Sequence, residues 1–193
     1  EYDSTTWSTG GALSIARYAG AGAGTQNAAF VAGGTGTYIV NTEEYDGSSW
    51  SNMGNMIQGR NSQGAAGTSY AAISFAGYQT SPSTAFSKTT NYYNGCSWES
   101  GPDMNICRYR TAGGGSSNAT IAYNGQNPDG KLTCVETFNG DAWSNAQGTN
   151  NVRRSMPDNH TEDIYDVVAM GGDSPVILLT EEWNGIAFPP DVV

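Results

Sequence analysis

The stretch Glu43-Glu44-Tyr45-Asp46-Gly47-Ser48-Ser49-Trp50 (EEYDGSSW) reads as a strand, a tight turn and a second strand. Two aromatics bracket Asp46-Gly47. Asp-Gly between strand-like runs is a strong hairpin signal, because primed turns need positive φ. The phrase recurs. Tyr2 and Trp7 bracket DSTT, Tyr93 and Trp98 bracket NGCS, Phe138 and Trp143 bracket NGDA, and Trp183 and Phe188 bracket NGIA. The second aromatics follow one another at intervals of 43, 48, 45 and 45 residues. A period of that length signals repeated supersecondary units.

The match extends outward from the hairpin. Ten residues after each of Trp7, Trp50, Trp98 and Trp143 stands an arginine: Arg17, Arg60, Arg108 and Arg153. Six residues after the same anchors come Leu13, Met56, Met104 and, less well, Thr149. A run of small residues follows each arginine, as in YAGAGAGT and NSQGAAGT. A more apolar run comes next, in the form AAFVAGG, AAISFAG, ATIAYNG or DVVAMGG, and ends at Gly34, Gly77, Gly125 or Gly172. Each unit therefore reads as four short strands. The first follows the arginine, the second ends in glycine, the third carries the first aromatic and the fourth carries the second. About 45 residues per four-stranded sheet suits a propeller blade. One such sheet cannot bury both faces alone, and stacking neighbours around an axis solves that.

Arginine, small residues, an apolar strand, Gly-Gly, Glu-x-Tyr-(Asp/Asn)-Gly and Trp together resemble the kelch repeat. Gly33-Gly34 and Gly171-Gly172 match its double glycine. Ala76-Gly77 and Asn124-Gly125 depart by one residue, so different turns are expected there. The resemblance covers essentially the whole chain and implies an all-β propeller of four-stranded antiparallel blades, while fold alone says little about function. The Gly/Thr/Asn-rich, lysine-poor style is also similar to kelch-like proteins of marine bacteria and their phages, often virion or surface proteins.

The expected organisation is a single domain over residues 1–193. An unmatched hairpin lies within 1–14, and four repeats cover approximately 15–57, 58–105, 106–150 and 151–193. That makes four inner hairpins and five outer ones, nine of the ten that a five-bladed ring needs. Three explanations stay open. An inner hairpin stands upstream of Glu1, or EEWNGIAF is not a blade strand and the first hairpin completes the last blade, or the chain is part of a longer array. A five-bladed ring, or part of one, is the expectation. Its open edge should be paired or covered, since exposed edges invite association.

Composition agrees with many short strands. Disordered chains combine low hydrophobicity with many charges and few aromatics; here aromatics reach 11%, charged residues only 13%, and glycines number 26. The net charge of −10, from 18 acids against 8 bases, gives no electrostatic reason to seek nucleic acid or an anionic membrane surface. The acidity serves solubility. No apolar run approaches the roughly 18–20 residues of a membrane span. Cys96, Cys107 and Cys134 show no CxxC spacing. One disulfide is open to any pair of them, and buried free thiols are the expected state.

Catalysis finds little support. The single histidine, His160, sits in PDNHTED, which reads as a surface loop, and no serine has a nucleophile elbow around it. Some kelch-type propellers are copper oxidases with a radical tyrosine cross-linked to cysteine and two histidine ligands. One histidine cannot supply that set, so no cofactor is expected from the resemblance. Asp158, Glu162, Asp163 and Asp166 offer oxygens of the kind Ca²⁺ takes, but without EF-hand spacing; a solvated acidic loop is the better reading. NPDG at 127–130 is a plain turn.

The arginines recur once per unit, which favours a structural role, tying one blade to carbonyls of the next, over a ligand role. The tryptophans are expected to pack between blades. Function belongs where the units differ. The loop between second and third strands is longest in the second unit (YQTSPSTAFSKTTN, 78–91), with QNPDGKLTC in the third. These loops emerge on the same face as the fourth-to-first-strand connections, where Tyr18, Asn61, Tyr109 and Arg154 begin the first strands. With Tyr78 and Phe86, such a face would stack on sugar rings or grip a protein loop. The sequons at Asn118 and Asn159 matter only in a glycosylating source.

The expected function is a noncatalytic binding or assembly module of extracellular or virion surfaces. Its partner would be a glycan or a protein, in a homo-oligomer or larger assembly. A decoration or fibre component docking through its edges is the alternative. A propeller hydrolase or lyase is the third reading, and needs an acid/base cluster at the axis.

Overall fold

The computed structural model describes residues 1–2, 4–35, 40–79, 85–156, 167–170, 172 and 180–183. These residues contain strands, turns and bends, and no helix. In the first unit, β1 (Ala21–Thr25), β2 (Ala28–Ala32), β3 (Thr42–Tyr45) and β4 (Trp50–Asn52) form one antiparallel sheet in chain order. The second unit contains β5 (Arg60–Asn61), β6 (Gly64–Thr68), β7 (Ala71–Phe75), β8 (Tyr78–Gln79), β9 (Ala85–Phe86), β10 (Thr90–Tyr93) and β11 (Trp98–Ser100). Its four-stranded sheet runs β6-β7-β10-β11, with a small ribbon β5-β8-β9 beside it. The third unit contains β12 (Ala112–Gly115), β13 (Thr120–Tyr123), β14 (Gln126–Asn127), β15 (Gly130–Lys131), β16 (Val135–Phe138) and β17 (Trp143–Ala146). Its sheet is β12-β13-β16-β17, and β14-β15 is a separate hairpin. In the fourth unit β18 (Val167–Met170) pairs with β19 (Thr180–Trp183). The first strand expected there and the closing aromatic Phe188 lie outside the described residues.

The first strands are small because they pack against each other. β6 lies against β1 on one side and β12 on the other. A methyl group added at Gly64 or Gly113 would overlap the ring of Phe75, so glycine there makes room for an aromatic of the second strand. The second strands bring the bulk: Phe30, Ile73, Phe75, Ile121 and Tyr123 are fully buried. Much of the core lies between successive sheets. Phe30 of the first unit meets Tyr93 and Trp98 of the second, with ring centroids 5.6 and 6.0 Å apart. Phe75 of the second meets Trp143 of the third at 5.2 Å. Trp98 Nε1 donates to Thr42 Oγ1 at 2.8 Å and Trp143 Nε1 to Thr90 Oγ1 at 2.9 Å, so these two buried indoles satisfy their polar atoms on the preceding sheet.

The N-terminal hairpin repeats this contact. The Tyr93 hydroxyl donates to Glu44 of the preceding unit at 2.8 Å. The Tyr45 hydroxyl likewise donates to Glu1, beside the Tyr2–Trp7 bridge. Trp7 departs from the packing expected of the tryptophans. Trp98 and Trp143 are buried and Trp50 is half-buried, whereas Trp7 is 81% exposed, because no sheet stands in front of it among the described residues.

Two kinds of turn differ from expectation. Tyr45 pairs with Trp50, Tyr93 with Trp98 and Phe138 with Trp143, which leaves four-residue loops rather than two-residue primed turns. The Asp or Asn works through its side chain: Asp46 Oδ1 accepts the N–H groups of Ser48 and Ser49, both at 2.8 Å. Asn94 and Asn139 do the same in their loops. In these loops positive φ falls on the glycine, at Gly47, Gly95 and Gly140.

The second-strand ends, by contrast, share one turn. Gly33, Ala76 and Asn124 adopt φ of 64°, 61° and 56°, so losing the first glycine of the pair does not change it. The second glycine is required. Gly34, Gly77 and Gly125 have φ near +100° (113°, 98° and 96°) and donate their N–H to the carbonyls of Arg60, Arg108 and Arg153 of the next unit, at 2.8–2.9 Å.

The cysteines also differ from expectation. All three are free thiols, yet Cys96 is exposed and Cys107 and Cys134 are half-buried. Cys96 stands in a hairpin loop, with its N–H on Asn94, where no core is available to cover it.

Candidate functional site

The site is built on the arginines. Arg17 Nη1 donates to the carbonyls of Gly33 and Asn41 at 3.0 and 2.8 Å, and Nη2 to Glu43 Oε1 at 2.6 Å. Arg108 does the same with Asn124, Cys134 and Glu136, at 3.2, 2.8 and 2.5 Å. Arg153 Nη2 bonds Glu181 Oε1 at 3.0 Å. Each guanidinium thus ties the second-to-third-strand connection of its own unit, not of the next. The link to the neighbouring unit runs through the arginine's main-chain carbonyl. The carboxylates reach further: Glu43, Glu136 and Glu181 accept main-chain N–H groups of Ser14, Asn105 and Asn150 at 2.6–2.7 Å.

Burial alone would raise the Glu43 carboxyl. Its bonds from the Ser14 N–H and hydroxyl and from Arg17 outweigh that, and its pKa lies below the ordinary value. The second unit lacks the acid. Arg60 bonds the Ala76 and Thr89 carbonyls and the Asn91 amide oxygen, and burial pushes its pKa down to about 10.

With the arginine anchored, the two residues after it form a rim. The first bridges to the residue following the strand-ending glycine: Tyr18 to Thr35, Asn61 to Tyr78, Tyr109 to Gln126. The second adopts a left-handed conformation in every unit, with φ of 55° at Ala19, 53° at Ser62, 54° at Arg110 and 57° at Ser155. None is glycine, so each carries a cost of about 1–2 kcal/mol. That backbone accompanies a series of bonds between units. Ser62 N–H donates to Ala19 O at 2.8 Å, Arg110 N–H to Ser62 O at 2.8 Å, and Ser155 N–H to Arg110 O at 3.0 Å.

These four residues line one cavity of about 840 Å³, within the usual range for small-molecule sites. Tyr78, Phe86 and Tyr109 gather at its mouth, with centroids 5.6, 5.2 and 5.9 Å apart pairwise. The long loop of the second unit brings them together: Phe86 on β9 is the Cα partner of Tyr78 on β8, and Tyr109 of the third unit closes the triangle. Tyr18 stands on the rim, 70% exposed. The Arg110 guanidinium lies 5.2 Å from the Tyr109 ring centroid. Asn61, Gln63 and Thr111 add polar groups to the lining.

Four of the five residues singled out as ligand-binding, Tyr18, Tyr78, Phe86 and Tyr109, therefore share this cavity. Arg154 does not line it; its guanidinium donates to Gln126, the bridge partner of Tyr109. Sequence reasoning missed Ser62, Arg110 and Ser155. The available signal was position alone, two residues after each arginine.

Among the described residues, no aspartate, glutamate, histidine or cysteine lines the cavity. The lining offers aromatic faces, amides and hydroxyls for stacking and hydrogen bonding. His160, Asn159 and the acidic group Asp158, Glu162, Asp163 and Asp166 lie outside the described residues. Asn118 is exposed in the turn between β12 and β13. No protein-family model matches the chain, and no curated protein matches it.

Proposed function

We propose that the chain is a kelch-type β-propeller, or an arc of one, acting as a noncatalytic saccharide-binding module of an extracellular or virion surface. The propeller reading is supported by the stacking of β1, β6 and β12 side by side and by the repeated unit-to-unit bonds. The function rests on the aromatic triangle Tyr78, Phe86 and Tyr109 at the mouth of a cavity lined with hydroxyls and amides. Sugar rings present C–H faces that stack on aromatics and hydroxyls that take fixed hydrogen bonds, and the lining pairs those two needs. The test is a glycan array with the wild-type chain and the variant carrying Tyr18→Ala, Tyr78→Ala and Tyr109→Ala together. Saccharide binding lost in the variant is expected; unchanged binding sinks this face as the site.

Trp7 favours a second reading, assembly through the sheet edge. It carries the same ring pair as Trp98, stacked on Tyr2 at 5.1 Å, but is exposed.

A further inference from the structure

Resting on the edge-assembly reading of Trp7, we propose that the exposed Tyr2–Trp7 hairpin docks on the fourth unit of a second copy of this chain, with Trp7 Nε1 on Thr180 and the Tyr2 hydroxyl on Glu182. The contact runs head to tail and repeats the joint between neighbouring units.

That joint matches donors to acceptors. The third strand of a unit offers one acceptor three residues before its aromatic and another directly before it. In the first unit these are Thr42 and Glu44, which take the Trp98 N–H and the Tyr93 hydroxyl of the second, both at 2.8 Å. Thr90 takes the Trp143 N–H at 2.9 Å, and Glu1 takes the Tyr45 hydroxyl. Where a donor is missing, so is its acceptor. Phe138 has no hydroxyl and meets the Tyr92 ring at 6.1 Å, where the first unit has Glu44. Phe188 has no N–H, and the third unit carries Val135 at the threonine position.

The fourth unit restores both acceptors. Thr180 and Glu182 stand three residues and one residue before Trp183, on one face of β19 by strand alternation. Both are exposed, whereas Thr42 and Thr90 are buried beneath the next unit. At the other end of the chain, Tyr2 and Trp7 carry both donors and are exposed. Their rings already hold the geometry of the other three pairs: 5.1 Å and 36°, against 4.8–5.1 Å and 31–37°. Docking therefore needs little further ordering of this pair. With Trp7 and Thr180 both exposed in the same chain, the two halves of the joint do not meet within one molecule, and a second copy supplies each. Two different faces in contact build open chains or rings of copies, not an isologous dimer.

The test is sedimentation velocity on the wild-type chain, Trp7→Ser and Thr180→Arg, with the variants alone and mixed in equal amounts. The wild type is expected to grow beyond a dimer with concentration. Each variant alone should stay monomeric, and their mixture should stop at a dimer, because each keeps one intact half. Thr180→Val should weaken wild-type association about three- to tenfold, the worth of one hydrogen bond. Melting temperatures of the dilute variants within about 1 °C of wild type show that the fold is intact. If Thr180→Arg alone still associates while Trp7→Ser does not, Trp7 meets another face; that overturns this contact and leaves the edge reading standing. A wild-type monomer whose Trp7 fluorescence, taken as the difference from Trp7→Ser, is that of an exposed indole overturns both. A monomer with a buried Trp7 indole overturns the second copy and assigns the hairpin to its own chain.

Discussion

At the scale of single residues, the decisive contrast is between three buried arginines with a carboxylate partner and one without. Removing one partner of a buried pair costs about 3–5 kcal/mol, because a charge is left without compensation. Glu136→Gln should therefore destabilise by about 3 kcal/mol or more, read as a melting temperature lower by roughly 2–4 °C per kcal/mol. Asn91→Glu should move the other way, since it places a carboxylate where Arg60 now meets an amide oxygen. A melting temperature that falls with Asn91→Glu would show that the second unit has closed around the smaller side chain. The acid limb carries a matching signature. Glu43 has a folded-state pKa below its ordinary 4.5. Its stabilisation is complete above that value and is lost as pH falls through the lowered one. Glu43→Gln should accordingly flatten the loss of stability below about pH 4.5, while lowering stability at neutral pH.

At the scale of elements, the hairpins and strand order were legible because they depend on local chemistry repeated at one spacing. Tyr45, Asp46-Gly47 and Trp50 mark two strands and their loop whatever surrounds them. The turn type was not legible. A side-chain acceptor at Asp46 and a positive φ at Gly47 suit both a primed turn and the four-residue loop found here. The double-glycine departures were over-read. Ala76 and Asn124 show that the first position needs only a residue able to enter the left-handed region, whereas the second position needs the absence of a side chain. A Cβ at Gly125 would lie 2.9 Å from the Tyr109 carbonyl oxygen at a φ of +96°. Gly125→Ala is therefore expected to cost more than about 2 kcal/mol, summing strain and overlap, and to weaken the bond to Arg153. Asn124→Gly should stay near neutral on backbone grounds and lose only the side-chain bonds of Asn124. Urea unfolding of the two variants separates them; equal destabilisation would mean that the Asn124 side chain, not the glycine, holds this turn.

At the scale of the whole molecule, stability of a repeat array is close to a sum over units and their interfaces, and here the two interfaces among the first three units are the same small set of bonds. A strand-ending glycine reaches the next arginine carbonyl, a left-handed residue reaches the one before it, and an indole reaches a threonine of the preceding sheet. The main-chain series could not be read in advance, since Ala19, Ser62, Arg110 and Ser155 share no side-chain chemistry. The aromatic side of the mouth could, because its tyrosines and phenylalanine stand in loops that vary from unit to unit. Trp7 tests whether the interface logic extends past the described sheets. Single exposed apolar residues are common on protein surfaces. Trp7, however, repeats the ring pairing of Trp98 and Trp143, each of which is covered by a sheet carrying a threonine acceptor. If another sheet of this kind covers Trp7 in solution, sedimentation should show concentration-dependent association. Trp7→Ser should then abolish it while leaving the melting temperature of the dilute chain within about 1 °C, as expected for a surface substitution. A chain that stays monomeric at high concentration, with Trp7 fluorescence that of an exposed indole, would leave the edge without a docking role.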